Sequence, residues 1–114
     1  MLSKKVFEQL VEKYSKLALK SLEFTKKLQS KIKIKCEFNC KEGFYGCTFF
    51  DNGCPYTVVI YREMHHSEVE VMCTVIHELL HVKMDGFKVK GKVEEKFIQS
   101  IEKLIKTIMV GKFK

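Results

Sequence analysis

Three ionisable side chains, His77, Glu78 and His81, stand inside a stretch that is otherwise fit for a protein core. Val75 and Ile76 precede them, and Leu79, Leu80 and Val82 lie between and after them. Residues four apart on a helix lie one turn above each other, so His77 and His81 share a face and Glu78 stands beside the first of them. Groups this polar in a core-facing turn need a partner. The segment must therefore be a helix with one side packed against the rest of the chain and a polar stripe that something else meets.

The remaining sequence supplies the layers. From Ser3 to Gln29 the apolar residues Val6, Phe7, Leu10, Val11, Tyr14, Leu17, Ala18, Leu22, Phe24 and Leu28 recur at steps of three and four, which predicts one long amphipathic helix. The period then changes to two. Ile32, Ile34, Cys36 and Phe38 alternate with Lys33, Lys35 and Glu37, the pattern of a half-buried strand. Phe44 to Phe50 suits a second strand, and Asp51-Asn52-Gly53 suits a tight turn that tolerates positive φ. Tyr56 to Tyr61, β-branched and aromatic throughout, reads as a strand buried on both faces.

Ser67 and Glu70 have the spacing of a capping box, so the histidine helix should start there and run to about Met84, with Gly86 as its C-terminal cap. A loop from Gly86 to Gly91 then leads to a last helix from about Lys92 to Val110. At 114 residues the chain is long enough for one core and too short for two, so residues 1–114 form a single domain. The expected class is α+β: a long N-terminal helix, a small three-stranded sheet, the histidine helix and a final helix.

Charge and cysteine content bound the setting. The net charge of +7 comes almost wholly from lysines spread along both terminal helices, with Arg62 the only arginine. A solvated lysine face accounts for this better than a phosphate-reading surface, which favours guanidinium groups, so no nucleic acid partner is expected. No run approaches the roughly 20 apolar residues of a membrane span, and the first eleven residues lack the apolar stretch of a secretion signal. Those features point to a cytoplasmic protein with no membrane partner, and its small single domain to a monomer. Cys36, Cys40, Cys47, Cys54 and Cys73 admit three readings: reduced thiols, one or two disulfides, or a four-cysteine structural metal site. Reduced thiols are preferred, because free cysteine is among the most buried residues, while the spacings lack the close pairs of zinc ribbons and so count against the metal site.

Two imidazoles from one helix face are what a tetrahedral zinc ion asks of its first two ligands. Glu78, adjacent to the first, is placed to act as general base on a water that the ion polarises and then to pass the proton to a leaving amine. A third protein ligand is needed, and no histidine follows His81. The final helix offers acidic candidates. Its apolar residues Phe97, Ile98, Ile101, Leu104, Ile105 and Ile108 define a buried face, within which Glu94 falls, while Glu95 points about a quarter-turn away. Glu94 is the expected ligand; Glu95 remains open as the alternative, because helix starts are uncertain by a residue or two. Asp85, one turn beyond His81, is a candidate to hold a ligating imidazole or simply a charge at the end of the helix. His65 and His66 precede the helix cap and are either exposed turn residues or helpers near the site.

With two helix histidines and a later helix glutamate, the chain resembles the gluzincin clan of zinc metallopeptidases. Its short layout resembles in particular the minigluzincins, whose small archaeal members have a minimal zincin-like domain. The likeness covers the whole chain in architecture, and its specific motifs are His77-Glu78-Leu79-Leu80-His81 and the Glu94 region. It implies one catalytic zinc held by His77, His81 and Glu94, with Glu78 as catalytic base. It also implies a latent, zymogen-like form in which a chain segment occludes the cleft, and an edge strand between Phe44 and Tyr61 that holds an extended peptide or protein substrate. Larger relatives carry an aspartate four residues after the glutamate ligand; here that residue is Ile98.

The expected function is zinc-dependent hydrolysis of peptide bonds, as an endopeptidase. Two alternatives stand beside it: a non-catalytic domain that zinc merely stabilises, and a basic interaction module.

Overall fold

The computed structural model describes residues 1–50 and 56–85, together with Glu95, Lys96, Ile98, Gln99 and Ile101. Helix α1 (Lys4–Ser21) begins where the Ser3 hydroxyl accepts the Val6 amide at 3.2 Å. It buries Phe7, Val11, Tyr14 and Ala18, the apolar stripe seen in the sequence.

The helix expected to continue to Gln29 stops instead at Ser21. Glu23 adopts φ 56°, the Glu23 amide returns to the Lys20 carbonyl at 3.1 Å, and the Phe24 amide returns to Leu19 at 3.0 Å. This pair of bonds is a Schellman cap, in which a left-handed residue closes off the last helical carbonyls. Burial of the Phe24 ring fixes the reversal, and the Lys83 ammonium caps the Leu22 carbonyl from the neighbouring helix. Thr25 then starts a new single turn, α2 (Lys26–Gln29), by accepting the Leu28 amide at 3.1 Å.

Strands β1 (Ile32–Glu37), β2 (Gly46–Phe50) and β3 (Tyr56–Tyr61) form one mixed sheet in the order β1-β3-β2. The first is parallel to β3, with Ile34 opposite Val58, and the second is antiparallel to it, with Thr48 opposite the same residue. As its composition requires, the central strand is buried on both faces from Val58 to Tyr61. On β1 the alternation holds for Ile32 to Lys35 and then fails, because Cys36 and Phe38 are exposed. Phe38 lies past the strand's end with the Arg62 guanidinium 4.9 Å above its ring.

The second strand begins two residues later than its aromatic content suggests. Gly43 takes φ +70° and the Phe44 amide bonds Cys40 Sγ at 3.1 Å, so Phe44 and Tyr45 belong to a tight loop and stay about half exposed. The turn expected at Asp51 to Gly53 lies outside the described residues.

Helix α3 (Glu68–Asp85) carries the capping box: the Glu70 amide donates to the Ser67 hydroxyl at 3.3 Å, and the Glu70 carboxylate takes the His66 amide at 2.9 Å. Both α1 and α3 cover the sheet face that presents Ile32, Ile34, Val58 and Ile60, giving a two-layer α+β domain with one core. The Tyr14 hydroxyl donates to Glu68 at 2.6 Å and ties α1 to the start of α3. Burial, with Glu68 adding to it, pushes that phenol up to about 12.

Of the last predicted helix, Glu95, Lys96, Ile98, Gln99 and Ile101 are helical, and Ile98 is fully buried. The loop from Gly86 to Gly91 and the rest of the stretch to Val110 lie outside the described residues. No described helix is long and apolar enough to cross a membrane.

Replacing Glu23 by glycine removes the strain of a left-handed non-glycine residue, about 1–2 kcal/mol, against an entropy cost of about 0.5–1 kcal/mol. Glu23→Gly should therefore raise unfolding stability by up to about 1 kcal/mol in urea titration. A loss of stability would show that the cap does not form in solution.

Candidate metal centre

Helix α3 meets its two requirements with two sides. Val71, Val75, Leu79 and Val82 point into the core, while His77 and His81 keep side-chain exposures of 20% and 21% at its margin. The Nε2 atoms of the two imidazoles are 3.2 Å apart. Glu95 reaches them from the last helix, Oε1 lying 3.2 Å from His77 Nε2 and Oε2 lying 3.2 Å from His81 Nε2.

Those separations have a simple meaning. A tetrahedral ion with bonds of about 2.0–2.1 Å to nitrogen and oxygen places its ligand atoms about 3.3 Å apart. The contacts among these side chains are of that order, and with one ligand atom from each lying within 4.8 Å of the others they are the group of His, Cys, Asp and Glu that could hold a metal among the described residues. Glu94, the expected third ligand, lies outside the described residues. The carboxylate brought to the histidines is that of its neighbour Glu95, the alternative. Glu95 is 42% exposed, three residues before the buried Ile98.

Glu78 lies beside this group and is only 6% exposed. The Thr48 hydroxyl of β2 donates to its Oε1 at 2.8 Å. Burial pushes the Glu78 carboxyl above the usual range, while the Thr48 bond and the two imidazoles pull the other way and Glu95 adds to the rise. Gly46 makes the approach of β2 possible. A Cβ there would stand 2.9 Å from Thr74 Cγ2, 3.1 Å from Glu78 Cγ and 3.1 Å from the Val59 carbonyl. The strand can therefore lie against α3 only where it has no side chain. Neither Thr48 nor Gly46 carries a sequence signal for this role, since the contact joins residues about thirty apart in the chain.

No comparison with family models, curated proteins or solved structures gives a match. The reading of the site rests on its own chemistry.

The other sequence candidates fall into place around it. His65 is neither an exposed turn residue nor a group at the metal site: it is fully buried, its Nδ1 donating to the Tyr61 carbonyl at 2.6 Å and its Nε2 2.7 Å from the Thr74 hydroxyl. Burial pushes its pKa down. His66 is exposed and serves the capping box through its backbone. Asp85 accepts a bond from the Tyr56 hydroxyl at 2.9 Å, fastening the end of α3 to β3.

Among the described residues Cys36, Cys40, Cys47 and Cys73 form no disulfide, and Cys54 lies outside the described residues. A cleft of about 640 Å³ opens from His77 and Glu78 toward the loop at Phe44 and Tyr45. Helix α1 contributes none of its lining, and the tail from Met109 to Lys114 lies outside the described residues.

Metal analysis separates the two glutamates. Glu95→Gln should lower bound zinc from one ion per chain to well below half after dialysis, and Glu94→Gln should leave it unchanged. The reverse pattern would assign the third ligand to Glu94.

Proposed function

We propose that this chain is a minimal zinc metallopeptidase of the gluzincin type, holding one zinc ion through His77, His81 and Glu95 and using Glu78 as general base. The observation that carries the proposal is the convergence of two imidazoles, 3.2 Å apart at Nε2, with a carboxylate whose two oxygens each lie 3.2 Å from one of them, and a buried carboxylate at their side. Two imidazoles and one carboxylate suit zinc better than the all-oxygen shells of calcium or magnesium, and three protein ligands leave a position open, as in catalytic sites.

Bound zinc supplies a Lewis acid that polarises a peptide carbonyl and lowers the pKa of water toward about 7. The protein's own groups do the rest. Thr48 holds one oxygen of Glu78, so the other is the one left to take the proton from the attacking water and return it to the leaving nitrogen. On its side away from β3, β2 is an edge of the described sheet. The backbone groups on that side, which pair with no strand among the described residues, can add an extended peptide beside Glu78, so that β-augmentation positions the scissile bond. Leu79 and Val75 anchor the helix from behind, which keeps His77 and Glu78 from swinging away as the substrate enters.

Glu78→Gln retains the shape of the side chain and removes the base. In zinc-loaded protein it should slow peptide hydrolysis by about 10²–10⁴-fold, with zinc still one per chain. Cleavage at an unchanged rate would sink the assignment of Glu78. A wild-type protein that melts higher with zinc yet cuts no peptide would favour a metal that only stabilises the fold.

A further inference from the structure

The cleft beside the metal donors has a far end, and its chemistry differs from that of the chain as a whole. The protein carries 21 Lys and Arg against 14 Asp and Glu, yet none of the described residues lining the cleft is lysine or arginine. Among the described residues its charged lining is acidic apart from His77: Glu78 at the metal end and Glu70 at the other. Phe44 and Tyr45, 49% and 47% exposed, form the wall opposite α3, a large aromatic surface left open to solvent. Between Glu70 and His77 the floor is Cys73 and Thr74, both buried and uncharged.

Glu70 is already employed at the start of α3, but with one oxygen only. Its Oε1 takes the His66 amide at 2.9 Å and lies 3.3 Å from the Ser67 hydroxyl, whereas Oε2 has no hydrogen-bond partner among the described residues. Glu68, the other acidic residue of that turn, is occupied by Lys13 and Tyr14 and does not line the cleft. One carboxylate oxygen in a cleft that is also lined by two half-exposed aromatic rings is a site for a cation, which gains from the carboxylate and from a ring face.

Length decides which cation. Glu70 and His77 are seven residues apart on α3, about 10 Å at 1.5 Å of rise per residue. A side chain attached near the scissile bond must span most of that distance along an uncharged floor. Lysine and arginine have an apolar stem that can lie on such a floor and a charged head that needs a partner at its end.

We infer that the Glu70 end of the cleft is a specificity subsite for a lysine or arginine side chain next to the scissile bond. The inference rests on the peptidase reading, and it makes the substrate a basic extended peptide. Glu70 acts here as a specificity residue and takes no part in bond cleavage.

The test uses zinc-loaded full-length protein and fluorogenic peptides of an alanine-glycine background with a single Lys, Arg, Leu, Phe or Glu at the variable position. Wild type should cleave the Lys and Arg peptides with a kcat/KM at least about tenfold above that for Leu. Glu70→Gln keeps the capping box, since glutamine serves there as well as glutamate, so its melting temperature should stay within a few degrees while the Arg-to-Leu ratio falls toward one. A preference for Leu or Phe in the wild type, or a basic preference that Glu70→Gln leaves intact, would overturn the subsite.

Binding of the same peptides to Glu78→Gln, read by fluorescence anisotropy, separates this inference from the peptidase reading. Basic peptides bound selectively and lost in the Glu70→Gln, Glu78→Gln double variant, with no cleavage by wild type, would leave the subsite standing and remove the hydrolase. Neither cleavage nor selective binding would remove both.

Discussion

The Thr48–Glu78 hydrogen bond joins the edge of the sheet to the helix that carries the metal donors. Glu78 is almost fully buried, and an ionisable group taken out of water has to find a partner or lose its charge. The partner is a hydroxyl on β2, and for that hydroxyl to reach 2.8 Å the strand must lie directly on α3. Gly46 permits it by leaving the space a side chain would fill. The consequence is that the strand edge and the buried carboxylate, which the proposed reaction would use together, are fixed relative to one another.

The rest of the fold holds α3 in that position from three sides. Its inner face packs on Phe7, Val11 and Tyr14 of α1 and on Val58 and Ile60 of β3. At its start Glu68 is held by Tyr14, and at its end Asp85 is held by Tyr56 while Lys83 caps the carboxyl end of α1. Buried His65 closes the remaining gap, linking the last carbonyl of β3 to Thr74, one turn before His77 and Glu78. The helix is thus pinned at both ends and along its length before any ligand is present, as a preorganised site requires.

Much of this could be read in the residue pattern, and what could not has a common cause. The apolar stripe of α1, the capping box at Ser67 and Glu70, the buried β3 and the facing pair His77 and His81 all follow from local periodicity. Where periodicity misled, tertiary contacts overrode it. The apolar steps run on through Leu22, Phe24 and Leu28, yet the chain reverses at Glu23, because burying Phe24 outweighs one residue in the left-handed region. Phe44 and Tyr45 look like strand residues and are loop residues, since Cys40 draws the backbone into a turn. The placement of Glu95 against the histidines, and the roles of Thr48, Gly46 and His65, depend on pairs far apart in sequence that no local rule links.

The central claim is that one zinc ion sits among two imidazoles and a carboxylate. Zinc K-edge X-ray absorption on protein loaded with one equivalent tests it most directly, because the first-shell distances identify the donors. The account predicts nitrogen and oxygen scatterers at about 2.0–2.1 Å with the outer-shell pattern of two imidazoles and no sulfur. Sulfur at about 2.3 Å would contradict it, by moving the metal to the cysteines and away from His77, His81 and Glu95.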